Sequence, residues 1–178
     1  MPPNQITRIT LRRAIPRDAS AIARAHVDSW QAAYLGLIPA AVLNRLTVPV
    51  QTANWRRILD ADETGTHTWV IANDSTVLGF SSAGPCRDDD DNPRHVGEIY
   101  TLYLIPAAWS RGLGSELLDT AQSGLARRGL SAATLWVLAG NTRARRFYEL
   151  NGFVPDGARR PTKLGDAELT EMRYRRAL

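Results

Sequence analysis

The spacing of apolar positions changes period along the chain and divides it into recognisable elements. Residues 6–12 alternate weakly between apolar and polar and predict a first strand. Asp18 then offers a side-chain cap to a helix running to about Tyr34, in which Ile22, Ala25, Ser29 and Ala33 recur at helical spacing. Pro39 and Pro49 each suit the first turn of a helix, so residues 39–46 and 49–62 read as two short ones. The period then shortens. Residues 67–73 and 76–83 predict strands joined at Asn73 and Asp74, residue types that tolerate the positive φ of a tight hairpin turn. A polar segment at 87–94 interrupts, and residues 95–104 resume as a strand rich in β-branched and aromatic side chains.

The clearest helix follows. Leu113, Leu117, Ala121 and Leu125 repeat every four residues, and Arg127, Arg128 and Gly129 supply a cationic last turn and a terminating glycine. Residues 133–138 predict a buried strand, 142–150 a helix stopped near Gly152, and 169–175 a final strand. Hairpin strands come first and a strand-helix-strand-helix unit second, which is α/β in the mixed sense, or α+β. With 178 residues, 44% of them hydrophobic, the chain suits one core, so a single domain over 1–178 is expected.

Composition narrows the function. No apolar run suits a membrane span and the polar, basic start does not suit a secretory signal, so a cytoplasmic protein with no membrane partner is expected. The single cysteine, Cys86, excludes an internal disulfide framework and reads as a small core residue. A net charge of +4, partly offset by the run at 88–91, fits a small phosphorylated ligand better than nucleic acid. The run itself reads as a solvated loop or as an attractor of a cationic substrate. His26, His67 and His95 lack ligand spacing, and Pro93 stands where a calcium loop needs glycine, so no metal is expected.

The most informative stretch is GEIYTLYLIPAAWSRGLGSELL, residues 97–118, a strand running through a glycine-bearing loop into the strong helix. A helix start leaves its amides unpaired and carries the positive end of the dipole. Gly112 and Gly114 either keep side chains away from a phosphate there or only make a tight turn. A P-loop is excluded because no Gly-Lys pair occurs, and a dinucleotide loop because Leu117 stands at its last glycine position.

The loop WSRGLG at 109–114 resembles the acetyl-CoA loop of the GCN5-related N-acetyltransferase (GNAT) family, [QR]-x-x-G-x-[GA], with Trp109 in place of Gln or Arg. LWVLAGNTRARRFYELNGF at 135–153 resembles the family's second signature at Asn141, Ala144, Phe147, Tyr148, Gly152 and Phe153, and LRRAIPRDASAIARAHVDSW its N-terminal strand and helix. The resemblance implies a central, mostly antiparallel sheet with splayed middle strands and helices on both faces. It implies acetyl-CoA as cosubstrate, with the backbone of Leu102, Tyr103 and Leu104 along the pantetheine arm and an amide there polarising the thioester carbonyl. The amides of Ser110, Arg111, Gly112, Leu113, Gly114 and Ser115 would hold the pyrophosphate. Asn141 would bind pantetheine, and Arg145 or Arg146 would reach the ribose phosphate unless they form a solvated helix face.

Tyr148 matches the family's tyrosine acid and otherwise packs in the core. Glu98, at the offset from Arg111 where the histone-acetylating branch carries its base, is the candidate base, with a strand-end salt bridge as the alternative. Position in the family fold puts Trp30 and Tyr34 across the mouth of the cleft and Tyr100 on the central strand, though Trp30 and Tyr34 would pack together in any amphipathic helix. The expected activity is transfer of acetyl from acetyl-CoA to a primary amine of a small molecule. The rivals are acetylation of a protein N-terminus or lysine, and a non-catalytic acyl-CoA sensor; a homodimer is compatible with each.

Overall fold

The computed structural model describes residues 8–61, 65–74 and 76–178. Its elements are β1 (Ile9–Arg13), α1 (Ala19–Ala33), α2 (Ala40–Arg45), α3 (Val48–Asp60), β2 (His67–Asn73), β3 (Thr76–Pro85), β4 (Val96–Leu104), α4 (Leu113–Ala126), β5 (Ala132–Leu138), α5 (Thr142–Leu150), β6 (Val154–Leu164) and β7 (Ala167–Ala177). Ile6 and Asp62, expected at the ends of the first strand and third helix, lie outside the described residues. Asp74 takes the positive φ foreseen for the turn, at 33°. Asp18 stands at the start of α1 without capping it; its carboxylate instead accepts from Arg12 at 2.6 and 2.8 Å and from the Ile15 amide at 2.9 Å.

All strands join one sheet in the order β1-β2-β3-β4-β5-β7-β6, antiparallel except where β4 meets β5. Alternation along β2 shows how it is covered. Trp69 and Ile71 pack with Leu113, Leu117, Ala121 and Leu125 of α4, whereas Val70 and Ala72 pack with Ile22 and Ala25 of α1 and Trp55 of α3. Leu117 and Leu118 are fully buried, and each such side chain contributes about 2 kcal/mol of burial. Among the described residues no helix is long and apolar enough to cross a membrane.

The strand β6 has no counterpart in the sequence reading. It is the sheet's outer strand, exposed along most of its length, and carries Pro155, Gly157 and Pro161. Edge position tolerates missing N–H donors and removes the apolar alternation that would have announced a strand. Charge holds it instead. Arg173 on β7 lies between Asp156 of β6, at 2.7 Å, and Asp88, Asp90 and Asp91, at 3.1, 2.7 and 3.3 Å. Arg175 adds Asp91 at 2.6 Å, and the Trp136 indole donates to Asp88 at 3.0 Å. The acidic run is therefore a clasp between the β3–β4 loop and the β6–β7 hairpin. Cys86, buried and free, lies with Asp88 and Asp91 in a group whose ligand atoms are within 4.8 Å of one another, with these arginines against the two carboxylates.

Candidate active site

The site begins where the sheet fails to close. β4 pairs with β5 only from Val96 to Glu98, against Ala132 to Thr134. Just beyond, the β3–β4 register slips: Ala83 faces Ile99 and Ser82 faces Thr101, so Tyr100 is an extra residue on β4. A bulge of this kind bends its strand and increases its twist, and β4 leaves β5. Two strand edges then face a cavity of about 440 Å³, lined on one side by Leu102, Tyr103 and Leu104 and on the other by Trp136, Val137 and Leu138.

One end of that cavity reaches the start of α4. Ser110 and Gly112 have φ of 58° and 78°, and the intervening Arg111 does not share the positive sign. Backbone of alternating hand turns successive N–H groups into a concavity that suits an anion. Among the described residues the amides of Ser110 through Gly114 have no acceptor, and the first backbone bonds of the turn run from Ser115 and Glu116 to the Gly112 carbonyl. Gly112 is required by its φ, with open space where a Cβ would stand, while a Cβ on Gly114 would come within 3.2 Å of the Phe147 ring.

The second signature lies alongside. Asn141 caps α5 through its Oδ1, accepting from the Ala144 amide at 3.1 Å, and lines the cavity. Arg145 does not line it: its guanidinium donates to the Tyr174 hydroxyl at 3.0 Å and the Ala139 carbonyl at 3.1 Å. Arg143 stands at the cavity instead, 3.4 Å above the ring centroid of Trp109, whose indole donates to the Leu104 carbonyl at 2.8 Å. The unusual Trp109 thus braces the end of β4 and seats a cation, a role the sequence signalled only as a departure from pattern. Arg111 and Leu113 also lie off the cavity by side chain, Leu113 being buried in the core, so that only their backbone belongs to the loop.

Tyr148 lines the cavity between Phe147 and Phe153, and burial, assisted by the nearby Tyr34, pushes its phenol upward, so it stays protonated at neutral pH. Tyr34 and Tyr103 meet hydroxyl to hydroxyl at 3.4 Å, and His26 stacks on Tyr103 at 5.5 Å. Burial takes His26 down to about 4.

The other half of the cavity contains the residues expected at the acceptor, Trp30, Tyr34 and Tyr100, with Glu98. Glu98 is held by Arg87, whose guanidinium also covers the Tyr100 ring at 4.0 Å. Sequence reasoning missed the opposite wall, formed by Trp136 of β5, Arg160, Thr162 and Leu164 of β6, and Glu171 of β7. Nothing in the pattern announced β6 and so its Arg160, Thr162 and Leu164, and without that strand nothing marked Trp136 or Glu171, on strands the pattern did predict, as lining a cavity.

The acetyltransferase (GNAT) family model matches residues 26–153, which include the open strand pair, the amide loop and α5. This chain belongs to the GNAT family of acetyltransferases. An uncharacterised N-acetyltransferase of Bacillus subtilis is 31% identical over 139 residues, covering 75% of this chain and 73% of its own length. A mycothiol acetyltransferase of Beutenbergia cavernae is 48% identical over 60 residues, covering 34% of this chain and 20% of its own. Among solved structures, the PaiA N-acetyltransferase of Thermoplasma acidophilum in complex with coenzyme A superposes with a TM-score of 0.74 at 19% identity, covering 93% of this chain and 98% of that one. The mixed sheet, its parting strands and its helices on both faces are thus those of a GNAT acetyltransferase.

Proposed function

We propose that this acetyltransferase uses acetyl-CoA and passes the acetyl group to the primary amine of a small molecule by direct attack within a ternary complex. The observation that carries this reading is the open edge between β4 and β5 ending at the unpaired amides of Ser110 through Gly114. The slot fits an extended amide-bearing arm as an added strand, and the amides fit its pyrophosphate. In transfer the ammonium first gives one proton to solvent water, the amine nitrogen bonds to the acyl carbon, and the carbon–sulfur bond breaks with the electron pair leaving on sulfur. The second proton lost from nitrogen passes through water to restore the phenol that protonates the sulfur. A β4 amide between Leu102 and Leu104 stabilises the oxyanion. Tyr148, protonated at neutral pH, gives its proton to the departing sulfur. Asn141 and Arg143 hold the donor's arm and phosphates.

Contact between the α1–α2 region and the β6–β7 hairpin supports a small molecule over a peptide backbone. Ile38 and Leu43, from the α1–α2 region, cluster with Leu138, against which Leu164 and Leu169 of the β6–β7 hairpin also pack. At Gly165 a Cβ would meet Val42 at 2.9 Å, so the two segments touch. The name of the mycothiol acetyltransferase points the same way.

Acetyl-CoA should raise the melting temperature in proportion to the logarithm of its concentration, because it binds the folded state. Gly112→Val should abolish that rise: a branched side chain at positive φ costs about 1–2 kcal/mol and fills the space before the amides. Thiol release across a panel of primary amines then tests transfer. No stabilisation by millimolar acetyl-CoA or CoA would refute the donor assignment. Turnover on peptides alone would refute the small-molecule acceptor, and binding without turnover on any amine would leave a sensor.

A further inference from the structure

Two carboxylates line the acceptor half of the cavity, and their surroundings differ. Glu98, its side chain 3% exposed, has both oxygens engaged: Oε2 accepts from the Arg87 amide at 3.1 Å and from its Nε at 3.0 Å, and Oε1 from its NH2 at 2.6 Å. Drawing it toward an incoming ammonium would break a charge-assisted, two-pronged pair. Glu171, 21% exposed, accepts from Arg160 Nε at 2.7 Å through Oε2, and among the described residues its Oε1 accepts no hydrogen bond.

Register places this free oxygen. Glu171 is opposite Leu138 on β5 and Arg160 on β6, so all three side chains leave the sheet on one face, together with Trp136 two residues before Leu138. Leu138 shares a cluster with Ile38 and Leu43 against which Trp30 and Tyr34 pack, which identifies the face as the acceptor side. Burial chiefly raises the Tyr34 phenol, the bond to Tyr103 opposes the rise, and the charge of Glu171 adds to it, so the carboxylate lies close enough to be felt there. Among the described residues the buried Trp30 indole N–H, which also lines the cavity, makes no hydrogen bond.

The geometry points to Glu171, a residue outside both sequence signatures, as the group that receives the ammonium of the acceptor. It selects a primary ammonium on an apolar or aromatic body lying against Trp30, Tyr34 and Trp136. Glu98 and Arg87 form a strut at the apex where β4 and β5 part. This assignment rests on the amine-transfer reading above. Arg160 has a defined place in it: the guanidinium stacks on Trp136 at 4.2 Å and competes with the substrate for Glu171. Loss of Arg160 should therefore act opposite to loss of Glu171.

The test is steady-state thiol release at saturating acetyl-CoA, using the best acceptor among phenethylamine, tyramine, butylamine and 1,4-diaminobutane. Glu171→Gln should raise the amine KM by about 10- to 100-fold, the range of a charge-assisted hydrogen bond, with kcat within about threefold and the acetyl-CoA melting shift intact. Arg160→Met should lower that KM by about three- to tenfold. Glu171→Asp should recover part of the loss. A wild-type KM in Glu171→Gln would overturn the assignment, as would an Arg160→Met variant whose KM rises as much as that of Glu171→Gln, since the pair would then be structural. Silence of all four amines with acetyl-CoA still bound overturns the amine-transfer reading together with this one, whereas loss of acetyl-CoA binding in the wild type strikes the donor assignment.

Discussion

The two halves of the cavity are made of different material. The donor half is main chain: the edge of β4, the edge of β5 and the amides opening α4, with Asn141 and Tyr148 added from one helix. The acceptor half is side chain, gathered from α1, the bulge of β4, and the β5, β6 and β7 strands, which lie far apart in sequence. A site of backbone can serve one invariant ligand while most side chains around it vary. A site of side chains is redrawn by single substitutions, which suits the part that chooses among acceptors.

Tyr148 is the strongest point at which to break this division. It belongs to the donor half, and its phenol is held protonated by burial. Tyr148→Phe should lower kcat by about 10²- to 10⁴-fold and leave the acetyl-CoA melting shift and the amine KM nearly unchanged. A wild-type kcat, with chemistry limiting, would reduce Tyr148 to a packing residue.

His26 tests the support of the acceptor wall. It lies among Trp30, Trp55, Phe80 and Tyr103, with Nδ1 accepting from the Trp55 indole at 3.2 Å. Its folded value of about 4 is below the usual 6.5, so between those values the unfolded chain binds the extra proton. Stability from this group is complete above pH 6.5 and is lost as pH falls toward 4, a difference of about 3 kcal/mol. Urea titrations at pH 7 and pH 4 should show that loss, and His26→Gln should flatten it. An unchanged pH slope in the variant would place the acid sensitivity elsewhere.

The smallest effect is expected at Glu98. Its partner Arg87 is 60% exposed, which reduces the pair to about 1 kcal/mol and the melting temperature change in Glu98→Gln to about 2–4 °C. Turnover should stay within about threefold at each pH. A large kcat/KM loss confined to low pH would identify Glu98 as the base and erase the contrast with Glu171.

The same division explains what was legible in the sequence. Leu113, Leu117, Ala121 and Leu125 revealed α4 because one helical face alone buries them, and Gly112 marked the loop because its φ of 78° favours glycine. Trp30, Tyr34 and Tyr100 were found only through the family's order of elements, and all three line the cavity. The resemblance implied Arg145 or Arg146 at the ribose phosphate, whereas helical rotation brings Arg143 to the cavity and turns Arg145 to Tyr174. Arg160 was invisible for a physical reason: β6 buries almost nothing and so has no apolar rhythm, and Glu171, though on a strand the pattern predicted, reads as one more exposed charge until β6 brings Arg160 beside it.

The ionic clasp around Arg173 therefore has an evolutionary meaning as well as a mechanical one. Because Asp88, Asp90, Asp91 and Asp156 fix the hairpin by charge, the lining positions of β6 do not have to be apolar for the strand to stay in place. Substitutions at Arg160 or Thr162, outside the apolar cluster that Leu164 joins, can accumulate with little cost to folding, and most of them alter the shape or charge of the cavity wall. A lineage carrying this clasp can reshape the cavity through a few changes on one outer strand, while the buried sheet and the slot between β4 and β5 stay as they are.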